Sequence, residues 1–246
     1  MKKIALALGF LFVLQGLAFS QNTFRFGVHA SPTWSWLRTD DKLLESSGSN
    51  WGLKFGVAGE FYFATNYAFT AGLGFGFNQG GTILNGYSKG VFWPKTDLSI
   101  PQLDTLGKDA KLHYRLTYVE LPVGLRFRGG SSEDSRLKFY AEAPIFTIGF
   151  LSKAQGDIRG NTDFKSEDEN IKADVNKLSL SWGVGAGIEY ELAANATAVI
   201  GLTFQQQFTD MTSDHGSVYD SRNSTWKKES SKGAFNAIAL RLGIFF

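Results

Sequence analysis

Val119-Glu120-Leu121-Pro122-Val123-Gly124-Leu125-Arg126-Phe127 carries a large apolar residue at every odd position and Glu, Pro, Gly and Arg at the even ones. A period of two is the mark of a β-strand with two unlike faces. In a water-soluble sheet the apolar face meets a core and the polar face meets water. A strand of a membrane barrel reverses this. Val119, Leu121, Val123, Leu125 and Phe127 would then face lipid, and Glu120 and Arg126 would face the lumen.

The chain has 246 residues, 28 glycines and no cysteine, so disulfides and thiolate chemistry are excluded. Residues 1–20 read as a cleaved secretory signal peptide: Lys2 and Lys3, an apolar run from Ile4 to Leu14, then Ala18-Phe19-Ser20. Without Lys2 and Lys3, 23 of the 25 basic residues remain against 23 acidic ones. That balance gives no electrostatic reason to expect nucleic acid as a partner. After residue 20 no apolar run reaches the ~18 residues a spanning helix needs, so only a barrel could carry residues 21–246 across a membrane.

Working outward from the opening stretch, alternation recurs seven more times. It is found in Phe24–Leu37, Leu53–Phe63, Tyr67–Asn78, a segment from Arg136 to Ile145, Leu178–Tyr190, Ala198–Phe208 and Ala237–Phe246. In the fourth of these, Leu137, Phe139, Ala141 and Ile145 are set against Lys138, Tyr140, Glu142 and Pro144. Short polar turns follow the second, fourth and sixth strands. Long segments follow the odd ones, the largest at 79–112, 152–176 and 210–233. This is the connectivity of an eight-stranded antiparallel up-and-down transmembrane β-barrel.

The smaller faces decide against a water-soluble sandwich. Gly72, Gly74, Gly76 and Gly183, Gly185, Gly187 would weaken a solvated face, but inside a narrow barrel they leave room for long side chains from the opposite wall. Trp34, Trp36, Tyr67, Tyr190 and Phe246 stand near strand ends, where interfacial girdles belong.

The run Thr117-Tyr118-Val119-Glu120-Leu121-Pro122-Val123-Gly124-Leu125-Arg126 resembles a strand of PorT-like outer-membrane β-barrel proteins. So do Gly183–Tyr190 and the ending Leu240-Arg241-Leu242-Gly243-Ile244-Phe245-Phe246. The resemblance implies an eight-stranded barrel in the outer membrane of a Gram-negative bacterium. It also implies an accessory role in type IX-like protein secretion as one alternative, and it supplies no catalytic residues.

Parity places Arg25, Lys54, Glu60, Glu120, Arg126, Lys138, Glu142, Glu189 and Arg241 in the lumen. One reading is an ion or proton path. The other is a set of mutually neutralising pairs that plugs the barrel. Pro122 lacks an N–H and predicts a bulge or an inserted water. A turn centred near Ser132 predicts that Arg126 lies beside Lys138 and Glu142 beside Pro122. The charges compensating Glu120 and Glu142 would then come from Arg241, Lys54 or both.

A small barrel enzyme acting on lipid is the catalytic alternative, with Asp214-His215-Gly216-Ser217 and His113 as its candidates. Glu167-Asp168-Glu169 lacks the ligand spacing of a calcium loop, and no cofactor or metal is expected. The expected partners are outer-membrane lipid, the barrel-assembly machinery through the strand ending in Phe246, and an extracellular protein or ligand. Phe92-Trp93-Pro94 and Trp226 are the loop aromatics that such a partner could meet.

Overall fold

The computed structural model describes residues 24–130, 135–160 and 164–246; the segment 1–20 expected to be a signal peptide lies outside them. Its strands are β1 (Phe24–Arg38), β2 (Leu44–Ala64), β3 (Tyr67–Asn85), β4 (Lys89–Val91), β5 (Leu106–Gly107), β6 (Lys111–Gly129), β7 (Leu137–Arg159), β8 (Lys165–Asn170), β9 (Leu178–Ala193), β10 (Ala196–Gln207), β11 (Ser217–Asp220), β12 (Thr225–Lys228) and β13 (Ala234–Phe245). Eight of them pair antiparallel in the order β1-β2-β3-β6-β7-β9-β10-β13, and β13 returns to β1, which closes the ring. The short connections after β2, β6 and β9 share one end with Phe24 and Phe246. The long ones gather at the other, where β8 extends β7 and β4, β5, β11 and β12 form a small separate sheet.

Both alternatives posed by the opening stretch occur, at different heights on the same strands. From Val119 to Phe127 the odd residues of β6 point outward and the even ones inward. Above this level the parity is unchanged but the chemistry swaps. Leu112, Tyr114, Leu116 and Tyr118 are buried inside, while Lys111, His113, Arg115 and Thr117 lie on the outer face. The lower storey is therefore apolar outside and charged inside, and nine residues match the ~9–11 of a tilted spanning strand. The upper storey is built like a water-soluble protein.

The outer face of the lower storey shows Phe69, Leu73, Phe139, Leu202 and Ile244 exposed around the ring, with no core to cover them. Exposed apolar surface of this extent marks contact with a partner or a membrane. Aromatic pairs edge the belt. Trp34 stacks on Trp51 at 5.3 Å toward the long-loop end, and Tyr67 meets Phe127 at 5.3 Å toward the short-turn end.

Several strands run further than the alternation suggests. β3 continues through the predicted 79–112 loop as far as Asn85, by way of a register shift between Gly76 and Gln79. Asn78 (φ 54°) and Gly80 (φ 127°) take left-handed conformations there, and the buried face moves from even to odd positions. β7 likewise reaches Arg159, inside the predicted 152–176 loop. β2 begins at Leu44, within a segment whose polar composition reads as a loop.

The hairpin of β6 and β7 also differs from its expected register. Arg126 faces Glu142 rather than Lys138, and Pro122 faces Thr147 rather than Glu142. The connection is longer than a turn centred on Ser132, because β7 starts only at Leu137. The bulge lies between Glu142 and Ile145 instead of at Pro122. It turns Ile145, expected on the lipid face, toward the lumen opposite Gly124.

Candidate functional site: a charged lumen under an apolar lid

Arg126 sits at the centre of the lower lumen, fully buried. Its guanidinium pairs with Glu60 of β2, with Glu142 of β7 at 2.8 Å and with Glu189 of β9 at 3.0 Å. Glu142 also takes Arg241 of β13 at 2.5 Å. Glu189 also takes Arg25 of β1 at 3.2 Å and Arg128 of β6 at 2.6 Å. One connected network thus sets the guanidiniums of Arg25, Arg126, Arg128 and Arg241 against the carboxylates of Glu60, Glu142 and Glu189. Charges this deep persist only when paired and hydrogen-bonded.

Aromatic rings complete the cage. Arg126 lies 4.3 Å from the centroid of Tyr140, and Arg128 4.9 Å from that of Tyr62, whose hydroxyl donates to Glu60 at 2.7 Å. Tyr140 fits because the two strands beside it, β9 and β10, are bare where its ring crosses them. A Cβ on Gly201 would collide with its hydroxyl, and one on Gly187 would stand 2.7 Å from its ring.

Higher up, Lys54 pairs with Glu120 at 2.7 Å and also reaches Gln205. Glu120 and Glu142 are therefore served by separate cations, Lys54 and Arg241, rather than by one bridging both. Lys138 stands apart at the rim, pairing with Glu191 at 3.1 Å. Sequence reasoning misses Arg128, because the alternation reads as ending at Phe127; its even position is the signal that finds it.

Above Glu120 the polar plug gives way to an apolar one. Residues 86–110 place Tyr87, Trp93, Leu98, Leu103 and Leu106 against Leu37, Ile83, Leu112, Tyr114 and Leu116 of the barrel wall. Trp93 meets Tyr114 edge-on at 5.4 Å and donates its indole N–H to the Tyr114 hydroxyl at 3.0 Å. The lid is latched to the neighbouring loop. Asp174 accepts from the Lys95 N–H at 3.1 Å and the Thr96 hydroxyl at 2.7 Å, and Glu169 accepts from the Ser99 N–H at 2.9 Å. Of the loop aromatics, Trp93 is thus buried, while Trp226 on β12 remains exposed beside Tyr219.

The remaining candidates are dispersed. His215 lies 2.9 Å from the Lys95 ammonium, and among the described residues no hydrogen bond joins Asp214, His215 and Ser217. His113 is held by the Thr82 hydroxyl at 2.9 Å, and burial lowers its pKa. In the acidic run, Glu167 takes Lys165 at 3.4 Å, Asp168 takes Arg115 at 2.7 Å and Glu169 takes Ser99. Among the described residues no group of three or more His, Asp or Glu side chains is arranged to hold a metal ion.

With the closed ring, the lipid-facing belt and the charged lumen in place, comparison with known proteins gives a family. Residues 18–209 match the model of the outer membrane protein β-barrel domain. The chain belongs to this family. It is an integral outer-membrane β-barrel protein of a Gram-negative bacterium. No curated protein matches it by sequence.

Among solved structures it is similar to a major outer membrane protein from Thermus thermophilus (15% identity, 92% of this chain and 99% of that one, TM-score 0.46). It is also similar to neisserial surface protein A (14% identity, 89% and 95%, TM-score 0.40). A third is Ail, the attachment invasion locus protein of Yersinia pestis (10% identity, 91% and 99%, TM-score 0.38).

Proposed function

We propose that this family member is a closed barrel of structural or binding type, without catalytic activity, that presents an ordered cap outside the cell. The observation that carries this is the double seal of its lumen. The network around Arg126 fills the lower half, and the apolar lid around Trp93 fills the upper half. An eight-stranded barrel has room for side chains but not for side chains and a water column together.

The cap offers Trp226 and Tyr219 on the β11–β12 hairpin as a contact surface for an extracellular protein or ligand. The last strand, β13, is the segment proposed to meet the barrel-assembly machinery. Pure protein in planar bilayers should show no steady conductance and should release no small solute from vesicles. Reproducible open-channel current would refute the closed-barrel reading. The PorT-like stretch Thr117–Arg126 supports an accessory secretion role as the second reading, which requires loss of secreted cargo when the gene is deleted.

A further inference from the structure

The small sheet of the cap has one uncovered edge. In the order β12-β11-β4-β5, β5 ends the sheet inside the lid, where Leu106 is buried. β12 ends it on the outside, and all four of its residues are exposed. The terminal strand of the other sheet, β8, is blunted. Its ladder shifts between Gly156 and Ile158, and Asp168 (φ 63°) turns its N–H to the Asp157 carboxylate at 2.8 Å. β12 has neither a bulge nor a proline.

The direction of its backbone groups follows from the hairpin. β12 sets Lys228 opposite Ser217 and Trp226 opposite Tyr219. Just beyond, the Glu229 N–H donates to the Gly216 carbonyl at 2.9 Å. Bonded and non-bonded pairs alternate along an antiparallel ladder. Thr225 and Lys227 therefore bond to β11, whereas Trp226 and Lys228 turn their N–H and C=O groups to the open edge. Among the described residues no strand pairs with them there.

Charge selects what fits. The face that carries Trp226 and Lys228 continues through Tyr219 and Ser217 of β11 to Val91 and Lys89 of β4. It holds two cations and no acid, and Trp226 adds a half-exposed ring. The acids nearby lie on the other face, where Asp40 and Asp41 share a cleft with Lys227 and Asp220. An extended segment with acidic residues at alternate positions would set them beside Lys228 and Lys89. A second copy of β12 would instead bring lysines together, which is unfavourable.

We propose that the open edge of β12 takes up an extended acidic segment of another protein as a further strand of the cap sheet. This rests on the reading of the cap as a contact surface and gives the partner's chemistry and its mode of binding.

The test uses the full mature protein in lipid nanodiscs and a labelled peptide of alternating glutamate and valine, followed by fluorescence anisotropy. Saturable binding that weakens as salt rises is expected. A lysine–valine peptide should not bind, nor should the glutamate–valine peptide once its amide nitrogens are methylated. Lys228→Thr removes the charge; Lys228→Pro also removes the edge N–H, without touching the bonds to β11. Lys228→Pro should therefore weaken binding about fivefold beyond Lys228→Thr, as the loss of one more hydrogen bond implies. In the unaltered protein the bound peptide should slow amide exchange at Trp226 and Lys228, but not at Thr225 and Lys227, which β11 already protects.

Absence of saturable binding by the glutamate–valine peptide would overturn the proposal, and so would equal binding of its methylated form. Binding without slower exchange at Trp226 and Lys228 would keep the cap as a contact surface but refute strand addition. Slower exchange there on raising the protein concentration alone would assign the edge to a second copy, which also refutes it. None of these outcomes bears on the closed barrel, which conductance decides.

Discussion

Glu189 and Arg128 share one 2.6 Å contact, yet removing the two charges should have very different consequences. Glu189 is buried and forms ion pairs with three guanidiniums, Arg25, Arg126 and Arg128. Glu189→Gln keeps the shape, so no cavity term enters, but it leaves four guanidiniums facing two carboxylates. Breaking a buried pair from one side costs ~3–5 kcal/mol, because the remaining charges stay buried without compensation. Arg128→Gln instead takes the network from four against three to an even three against three. Its side chain is 16% exposed, and Glu189 keeps Arg25 and Arg126. We expect a cost below about 1 kcal/mol, in the range of a single net hydrogen bond.

In the double variant the ratio returns to three against two, the original excess of one, and part of the Glu189→Gln loss should be recovered. The assay is reversible urea unfolding in phospholipid vesicles followed by tryptophan fluorescence, with gel mobility as the folding check. Equal losses in the two single variants would refute the charge-balance account. So would strict additivity in the double variant, since coupled neighbours should not add.

Three other perturbations probe different levels of the molecule. Leu73→Arg places a charge on the lipid face of β3 and should destabilise the barrel by ~2–4 kcal/mol in the same unfolding assay; a neutral result would deny lipid contact there. Trp93→Ala removes the aromatic anchor of the lid, a change that typically costs ~3–5 kcal/mol in a packed core. The loss should appear as faster amide exchange over 86–110 with the lower barrel unaffected, and uniform loosening would contradict a separate lid. Burial, together with the neighbouring Asp214, raises the pKa of Asp210 from 3.8 to about 6, and burial raises that of Glu229 in the same direction. A raised carboxyl pKa favours the folded cap at low pH, and that stability is lost as pH climbs from about 4 to about 6. Amide exchange over 211–218, corrected for its intrinsic rate, should therefore slow on going from pH 7 to pH 5, and Asp210→Asn should weaken the dependence, leaving the part that Glu229 contributes.

The lower storey is legible from sequence because lipid imposes its own rule. Every outward residue must be apolar, so period-two patterning is strict and each inward charge stands out by position. Arg126, Glu142, Glu189 and Arg241 all sit at such positions, on four different strands. Above the membrane that rule lapses. The outer face is wet and the inner face is greasy, so the alternation changes sides at Tyr118 and Val119.

The run Leu112-His113-Tyr114-Arg115-Leu116 keeps the period of two, and the strand is legible back toward Tyr114, but the switch of its apolar residues to the inner face is not. Bulges hide more. The left-handed residues at Asn78 and Gly80 move the buried face of β3 by one position, and a strand whose parity shifts midway looks like a loop. The expected hairpin register of β6 and β7 fails at the turn itself, since Arg126 already faces Glu142 before the bulge, which then shifts the pairs beyond it once more. What lies inside the lid is not legible, because a loop of 86–110 carries no period from which its contacts could be counted.

The central claim is that one face of the lower strands meets lipid while the other lines a closed, charged lumen. Single spin labels placed in turn at residues 69 to 77 of β3, in vesicles, test it most directly through collisions with oxygen and with a water-soluble nickel chelate. The structure predicts strict alternation: high oxygen and low nickel contact at 69, 71, 73, 75 and 77, and little contact with either reagent at 70, 72, 74 and 76. Nickel contact at 71 and 73 would contradict it, because those positions would then face water.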